Sequence, residues 1–308
     1  MAGLSAVVPL LLTVLLGWVL RRRGYLKEET APQLMWLLYW VSLPALLFRK
    51  TIAVGGESLL NGNLFVAIHL SFFLMPPLAW LLARLAGQER RRVAVSVLVS
   101  IRSNNVYMGL PVVALALGAE GVAALSLYLA VGLFSYNLLS IAWAQIALSG
   151  GLSRRHLVET ARSVALNPLF LACLAGVSAS LLGFGTLPRW LDAFLEILGD
   201  LATALALLAL GASIRIVSPL ATLRSAWRDV TLRLFVHPAV MALLFRFFPV
   251  EPYVAGAVIL ATAMPSAVNN FVLAKGMDMD SAYAGEVVAA TTVLSVVTVP
   301  LWLAWLGL

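Results

Sequence analysis

The sequence predicts an all-α polytopic membrane protein with ten transmembrane helices, arranged as two inverted five-helix repeats in which helices four and nine are broken and cross. Of 308 residues, 62% are hydrophobic and only 11% are charged, and the mean hydropathy is +0.97. Apolar runs of about 20 residues recur along the whole chain, which is the length that crosses a bilayer as a helix. Two of these runs carry prolines and paired asparagines in their middles.

The ten predicted spans are apolar runs separated by charged or Pro/Gly-rich segments. They cover residues 4–20, 33–48, 64–85, 93–117, 122–148, 163–182, 190–214, 230–248, 253–274 and 282–306. Because the connections are short, we expect residues 1–308 to form a single membrane domain.

Basic residues predict which connections face the cytoplasm, because lysine and arginine prefer cytoplasmic loops. Sixteen of the 21 lie in odd-numbered connections, counting Arg233 with the seventh, and four lie in even-numbered ones. Three arginines follow the first apolar run and none precedes it, which favours a retained first span over a cleaved signal peptide. The expectation is a prokaryotic inner membrane protein with both termini on the outer side.

The number of spans predicts the symmetry. Five spans repeated in tandem must enter the membrane in opposite orientations, which is common in secondary transporters. The repeats are predicted at 1–150 and 160–308. Weak sequence echoes place Gly17 opposite Gly176 and Gly118 opposite Gly276.

Spans four and nine contain the least helix-friendly stretches of the chain, "SNNVYMGLP" at 103–111 and "MPSAVNNF" at 264–271. Proline removes a backbone donor, so we expect both helices to be interrupted near their centres. Polar groups facing lipid would cost several kcal/mol each, so they are expected to line an enclosed cavity, where half-helix N-termini favour an anion. The alternative is that these asparagines only join neighbouring helices. The predicted substrate site comprises Asn104, Asn105, Asn269, Asn270, Arg102 and Tyr107, with Gly109, Pro111 and Pro265 as helix-breaking crossover residues.

Charged and titratable residues inside the spans are further candidates. Arg102 is the only basic residue predicted deep in a span, where it binds a substrate carboxylate, pairs with an acid or extends to the headgroups. The candidates for ion coupling are Asp200, Glu286, His69 and His237, with packing as the alternative role of the histidines. The coupling ion is expected to be H+ or Na+. No cofactor is expected, and the lone Cys173 offers no metal cluster.

Four motifs together resemble the auxin efflux carrier family. They are the Asn104-to-Pro111 segment, Pro265 followed by "FVLAK", "NPLFLACLAG" with Asn167, Pro168 and Gly176, and "LLALGASI" near the end of span seven. The resemblance implies a fold akin to bile acid sodium symporters, with spans one, two, six and seven as scaffold and spans three to five and eight to ten as a mobile transport domain. It also implies elevator-type alternating access, a homodimer and organic-anion substrates. Plant members have a long central loop, and a second proline where this chain has Asn270. Both departures favour bacterial relatives, several of which handle small carboxylates such as malate or malonate.

The predicted function is therefore a secondary active carrier of an organic anion, a small or aromatic carboxylate. The alternatives are a sodium-coupled bile-acid-like symporter, or a channel or ligand sensor that uses the same midplane cavity. HExxH, GxSxG and phosphate-binding glycine motifs are missing from the sequence, so it does not predict an enzyme. The expected partners are the anion, the lipid bilayer and a second copy, and not nucleic acid, despite a net charge of +7. The sequence leaves open the substrate, the direction of transport and the coupling ion.

Overall fold

A computed structural model describes residues 12–52 except 14 and 28, residues 61–149, 168–213 and 219–308, and the single positions 155, 158, 162, 165 and 166. Most of predicted span one, the start of span six and Asn167 lie outside the described residues. Residues 15–22 are helical and represent the end of span one.

The described chain is almost entirely helical. The helices are α1 (Thr30–Leu37), α2 (Leu43–Ile52), α3 (Gly62–Leu85), α4 (Arg90–Ile101), α5 (Leu110–Ser149), α6 (Pro168–Leu181), α7 (Arg189–Ser213), α8 (Pro219–Thr231), α9 (His237–Phe247), α10 (Pro252–Ala263), α11 (Asn269–Gly276) and α12 (Ser281–Leu306).

Four described helical segments are long and apolar enough to cross a membrane, and two shorter ones are also apolar. The four are Gly62–Leu85, Asn105–Leu133, Arg224–Phe247 and Ser281–Trp305, and the shorter ones are Pro168–Leu181 and Pro252–Ala263. The chain is therefore a helical membrane protein.

Three π-helical turns lie within predicted spans two, four and eight, namely Leu38–Ser42, Asn105–Gly109 and Leu232–Val236. Each ends two residues before a proline, namely Pro44, Pro111 or Pro238. A proline lacks the N–H for its helical bond and its ring clashes with the carbonyl four residues earlier, and a widened turn accommodates both. For Pro238 that carbonyl belongs to Leu234, and it accepts a 2.8 Å hydrogen bond from the indole N–H of Trp302.

The predicted connection between spans four and five is reduced to a kink. Helix α5 runs from Leu110 to Ser149, and only Gly118 departs from helical geometry, with φ 62° and ψ −152°. A positive φ is open to glycine at little cost, so one residue redirects the chain where the sequence predicted a short loop.

Close glycine contacts hold together the helices that correspond to spans one, two, six and seven. A Cβ on Gly17 would lie 2.2 Å from the carbonyl oxygen of Leu208 in α7. A Cβ on Gly176 in α6 would lie 2.9 Å from the carbonyl oxygen of Phe48 in α2. Since no side chain fits at these distances, both helix pairs approach backbone to backbone.

The remaining helices pack with one another in a second group, α3–α5 and α8–α12. A small apolar core within it joins α4, α8 and α12 around Val95, Leu98 and Val287. The two groups meet where α5 contacts α2 and α6, and where α7 contacts the π-helical turn Asn105–Gly109. This arrangement brings the interrupted middles of spans four and nine to the interior of the second group.

Candidate functional site at two interrupted helices

Spans four and nine are both interrupted in the structure. Helix α4 ends at Ile101, and the chain resumes as a helix only at the π-helical turn that begins with Asn105. Helix α10 ends at Ala263, and α11 begins at Asn269. We call the residues between them, 102–104 and 264–268, the crossing.

The two interruptions lie side by side and complete each other's backbone hydrogen bonds. Ser103 and Ser266 form an isolated antiparallel bridge. The Asn104 N–H donates to the Pro265 carbonyl at 2.7 Å, and the Ala267 N–H donates to the Arg102 carbonyl at 2.9 Å. Backbone groups freed by the two breaks are thus satisfied across the crossing, as the apolar surroundings require.

Proline and glycine have unequal roles here. Pro265 lies within the crossing, and Met264 before it is extended at φ −66° and ψ 150°, as a residue preceding proline favours. Pro111 is the second residue of α5 and lies beyond the interruption, in a first turn that tolerates proline. A Cβ on Gly109 would lie 3.2 Å from the Met264 side chain, so this glycine lets the two segments approach.

Arg102 lies at the centre of the crossing and is 1% exposed. Its Nε donates to the Asn270 side-chain oxygen at 2.7 Å, and its Nη1 donates to Asn137 at 2.7 Å and to Ser140 at 3.1 Å. Its guanidinium also lies 5.4 Å from the ring centroid of Tyr136. No carboxylate of the described residues is within ion-pair distance, and Nη2 donates to none of those residues. Arg102 is thus a buried cation held by neutral groups, with donors left over.

Arg233 is a second buried arginine, with 0% exposure, in the π-helical turn between α8 and α9. Its Nη1 donates to the Ser100 carbonyl at 2.8 Å and its Nε to the Met264 carbonyl at 3.2 Å. Its Nη2 donates to the Ser103 hydroxyl at 2.6 Å and to the Thr262 carbonyl. All three nitrogens therefore bind oxygens at or beside the ends of α4 and α10.

Arg233 corrects two predictions from the sequence. It was counted among the residues of the seventh connection, but it lies inside a helical segment that starts near Pro219. Arg102 is therefore not the only basic residue deep in a span. The chain carries two buried cations at one crossing, of which the sequence predicted Arg102 and not Arg233.

The asparagines in and beside the crossing differ in whether their side chains are hydrogen-bonded within the protein. Asn270 accepts from Arg102 and donates to the Ser266 hydroxyl at 2.9 Å, so its amide is used within the protein. The Asn104 side-chain oxygen caps the following turn by accepting from the Tyr107 N–H at 3.2 Å. The Asn104 amide nitrogen and both polar atoms of the Asn105 side chain are buried without a partner among the described residues.

Unpaired polar atoms also occur on the neighbouring helices. The Tyr128 hydroxyl on α5 lies beside Asn105, yet no hydrogen bond of normal geometry joins it to a described residue. The Thr298 hydroxyl on α12 is also buried without a described partner. One turn earlier, the Ser295 hydroxyl contacts the Met108 sulfur at 3.8 Å. Such buried, unpaired groups are unusual in proteins and identify a place where a ligand is expected.

Two further predicted site residues, Tyr107 and Asn269, lie close to the crossing in the sequence. Tyr107 is half-buried within the π-helical turn, with its N–H bound to Asn104. Asn269 begins α11, directly after the crossing, and its side chain lies outside the described part of the structure.

The two carboxylates among the candidate coupling residues have different surroundings. Asp200 is exposed on α7 and lines an open cleft of about 290 Å³ together with Leu46, Leu110 and Gly118. Glu286 is half-buried on α12 and accepts a hydrogen bond from Ser225. The structure therefore brings neither carboxylate into the crossing.

The two histidines are both engaged with neighbouring spans. His69 contacts the Phe65 carbonyl at 2.8 Å and the Ser135 hydroxyl at 2.7 Å. His237 is buried, and its Nε2 lies 3.5 Å from the Ser71 hydroxyl, while its Nδ1 has no partner among the described residues. No group of three or more His, Cys, Asp or Glu side chains in the described residues is placed to hold a metal ion.

Sequence reasoning also missed a buried carboxylate. Asp229 is 3% exposed on α8, and one of its oxygens accepts from the Ser96 hydroxyl and the Tyr283 hydroxyl, each at 2.7 Å. The guanidinium of Arg92 lies 4.3 Å from the Tyr283 ring centroid. Asp229 thereby ties α8 to α4 and α12, one helical turn before Arg233.

Comparisons with known proteins identify the family of this chain. A family model described as "Membrane transport protein" matches residues 2–145 and 152–303. An "Uncharacterized transporter" of Methanothermobacter thermautotrophicus is 28% identical over 98% of both chains. A protein of Rhizobium meliloti named "Putative malonate transporter" is 25% identical over 95% of this chain and 92% of its own.

These matches confirm two predictions. The relatives are transporters and not enzymes. The family is the auxin efflux carrier-like one that the sequence motifs resemble. The chain therefore belongs to the membrane transport protein family.

Proposed function

We propose that this transporter is a secondary carrier of a small organic anion, a carboxylate, which binds at the crossing. The observation that carries the proposal is Arg102. Burying an isolated cation costs several kcal/mol even after the protein relaxes, and hydrogen bonds to neutral oxygens offset only part of that cost. A substrate carboxylate that accepts from Nη2 supplies the missing negative charge.

The groups around Arg102 favour the same kind of ligand. Arg102 lies at the N-terminal end of α11, where the helix dipole is positive, so the arginine does not serve to stabilise that helix. The unpaired Asn104 amide nitrogen is a further donor. An unmade hydrogen bond of a buried group costs about 1–3 kcal/mol, which a carboxylate oxygen recovers on binding. Asn105 and Tyr107, next along the same turn, complete the proposed contact surface.

The relative from Rhizobium meliloti suggests the size of the substrate. Its name assigns it malonate, a dianion with two carboxylates on one carbon. We therefore take a small dicarboxylate as the first substrate to test and an aromatic carboxylate as the second.

Two equivalent contacts support the ten-span inverted repeat. Gly17 of span one packs on the Leu208 carbonyl of span seven, and Gly176 of span six packs on the Phe48 carbonyl of span two. Exchanging the two repeats converts one contact into the other. The Ser103–Ser266 bridge joins the interrupted middles of spans four and nine, which are corresponding spans of the two repeats.

Contacts between connections support the predicted sides of the membrane. Arg91 of the third connection donates to Asp278 of the ninth at 2.6 Å. Asn63 of the second connection donates to the Pro249 carbonyl of the eighth at 2.9 Å. Odd-numbered connections thus contact each other, and so do even-numbered ones. With basic residues concentrated in the odd set, we propose an inner membrane protein whose termini face outward.

We also propose elevator-type movement of α3–α5 and α8–α12 against a scaffold of α1, α2, α6 and α7. The cleft of about 290 Å³ lies on this boundary, between Leu46 and Asp200 on the scaffold and Leu110 and Gly118 on α5. A cleft at this boundary favours sliding of the two helix groups past each other and does not favour a fixed interface between them. Among the candidate coupling residues Asp200 is the best placed, because it lines this boundary, and we propose it as the residue that couples transport to an ion gradient. Replacing Asp200 with Asn should then remove the dependence of substrate counterflow on that gradient, and an unchanged dependence would exclude it.

Large apolar side chains suggest where a homodimer would form. Trp190, Phe194, Ile197 and Leu201 form one exposed stripe along α7, on the proposed scaffold. Cys173 is the only cysteine of the chain and is buried, so a Phe194→Cys variant reports on this face alone. A disulfide-linked dimer in native membranes is expected, and its absence under oxidation would argue for a lipid-facing stripe.

The direct test of function is substrate counterflow in proteoliposomes. Vesicles loaded with unlabelled malonate should accumulate labelled malonate in a saturable manner, and malate should compete. Arg102→Gln should abolish this uptake, while Arg246→Gln, which alters an exposed arginine on α9, should preserve it. High unitary current without counterflow would indicate a channel. Binding without flux would indicate a sensor, and a requirement for sodium would indicate a bile-acid-like symporter.

A further inference from the structure

Four oxygens converge on the guanidinium of Arg233. They are the carbonyl oxygens of Ser100, Thr262 and Met264 and the hydroxyl of Ser103. No carboxylate among the described residues forms an ion pair with this arginine. The charge of Arg233 is therefore balanced by backbone oxygens and not by an acid.

The position of these oxygens explains why a cation is needed. Ser100 and Thr262 lie in the last turns of α4 and α10, and Met264 directly follows α10. The last carbonyls of a helix have no partner within it and carry a partial negative charge. Two such ends meet at the crossing, so their dipoles repel unless a positive charge lies between them.

In other transporters with interrupted helices, unwound carbonyls and half-helix C-termini coordinate sodium ions. Oxygen atoms of carbonyl and hydroxyl groups are also the usual ligands of hard cations. The four oxygens around Arg233 are such a set, contributed by the two broken spans.

We propose that these oxygens form a monovalent-cation site and that the Arg233 guanidinium is its permanent occupant. The crossing therefore assembles without a free alkali ion. The consequence for coupling, that sodium bound at these oxygens does not drive transport, rests on the proposed function. The assignment of the cation site itself does not depend on the proposed function.

The surrounding structure holds Arg233 in place. The π-helical turn Leu232–Val236 places the residue, and the Trp302 indole occupies the carbonyl that Pro238 leaves free within this turn. One turn earlier, Asp229 is bound to Ser96 of α4, the same helix that supplies the Ser100 carbonyl. The helical segment that carries Arg233 is therefore tied to α4 by Asp229, and this holds the guanidinium at the ends of α4 and α10.

Removing the side chain should convert the site into one that binds a free cation. Arg233→Ala leaves the four oxygens facing a space the size of a guanidinium ion. We expect the melting temperature of this variant, purified in detergent in choline chloride, to fall by several degrees. Guanidinium or sodium at a low, non-denaturing concentration should restore about half of the loss or more, whereas added choline should not.

Wild type and Arg246→Ala are the controls, and neither should respond to sodium or guanidinium more than to choline. Arg233→Lys keeps a tethered charge, so it should melt between wild type and Arg233→Ala and gain less from added cations. If Arg233→Ala folds only when purified in guanidinium, removal of guanidinium must unfold it. An Arg233→Ala protein that no small cation stabilises beyond the controls, or that is unfolded with and without guanidinium, would overturn the proposal, as would a sodium-stabilised wild type.

These measurements contain no carboxylate, so they separate the two proposals. If wild type fails to bind or exchange any carboxylate but Arg233→Ala gains cation-dependent stability, the cation site stands and the proposed substrate fails. The reverse result keeps the anion carrier and removes the cation site.

Discussion

Arg102 and Arg233 are two buried arginines at one crossing, and they differ in what they bind. Arg102 is held by side-chain oxygens of Asn270, Asn137 and Ser140, and one of its nitrogens donates to no described residue. Arg233 is held mainly by backbone carbonyls, and all its nitrogens are used. All three guanidinium nitrogens of Arg233 therefore donate hydrogen bonds within the protein, whereas Arg102, at the same crossing, has donors left over.

The helix ends explain the difference. Arg233 lies between the C-terminal ends of α4 and α10, where negative partial charge stabilises a cation. Arg102 directly follows the last residue of α4, but its guanidinium lies beside Asn270 at the N-terminal end of α11, where the partial charge is positive. A cation at the first place stabilises the protein, whereas a cation at the second stabilises a bound anion.

The largest expected effect is on stability, at Arg233. Replacing Arg233 with Met removes the cation and leaves the carbonyls of two helix ends unpaired, at a cost of about 1–3 kcal/mol for each unpaired group. The free energy of unfolding in a mild-detergent and SDS titration measures this loss. Arg102→Met should cost clearly less, since it also removes an unpaired charge. Equal losses would remove the distinction between the two arginines.

The next effect is on binding, at Arg102. Truncating one partner of a buried, charged hydrogen bond costs about 2–5 kcal/mol, so Arg102→Gln should weaken carboxylate affinity at least about 30-fold. Isothermal titration of malonate measures the change, and the ligand-free melting temperature should stay near the wild-type value. Retained affinity would show that the anion binds elsewhere.

Asn104 provides a further test of the anion site, because the oxygen and the nitrogen of its side chain have separate roles. Asn104→Asp keeps the oxygen that caps Tyr107 but replaces the free donor with a negative charge. Asn104→Ala loses the cap as well, at a cost of about 1 kcal/mol. In a thermal-shift assay both variants should lose the response to malonate, and only the alanine variant should melt lower without ligand. A normal response in Asn104→Asp would remove this residue from the site.

The smallest effect is expected at Asn270, which positions Arg102. Asn270→Ala removes the acceptor of Arg102 Nε, and a hydrogen bond to a charged group contributes about 1.5–3 kcal/mol. Part of that loss is recovered if the freed arginine turns toward the ligand. Malonate affinity should therefore fall less than in Arg102→Gln, as measured by the same titration. A larger fall would indicate that Asn270 binds the anion directly.

Most helix positions and both interruptions were predictable from the sequence, although α8, at Pro219–Thr231, lies almost wholly in a predicted connection. Span three was predicted at 64–85 and the helix runs from Gly62 to Leu85; span seven was predicted at 190–214 and runs from Arg189 to Ser213. The paired asparagines and the prolines indicated breaks in spans four and nine. In span four the break precedes Pro111 by several residues, because proline fits the first turn of a helix and Asn104 supplies its cap.

The role of Arg233 was not predictable in the same way. It lies near the start of a span and close to other arginines, so a count of loop charges assigns it to the cytoplasm. Its burial depends on contacts with α4 and α10, which are far away in the sequence. Asp229 was missed for the same reason. The usable signal is local: each π-helical turn ends two residues before a proline, and Pro238 thus marks the turn that contains Arg233.

The most direct test is the location of a bound carboxylate. Crystals of the protein with bromomalonate would show the bromine by anomalous scattering. We predict one peak at the crossing, with a carboxylate oxygen within hydrogen-bonding distance of Arg102 Nη2 and the Asn104 amide nitrogen, and no peak there in Arg102→Gln. A peak in the cleft beside Asp200, or an unchanged peak in the variant, would contradict the account.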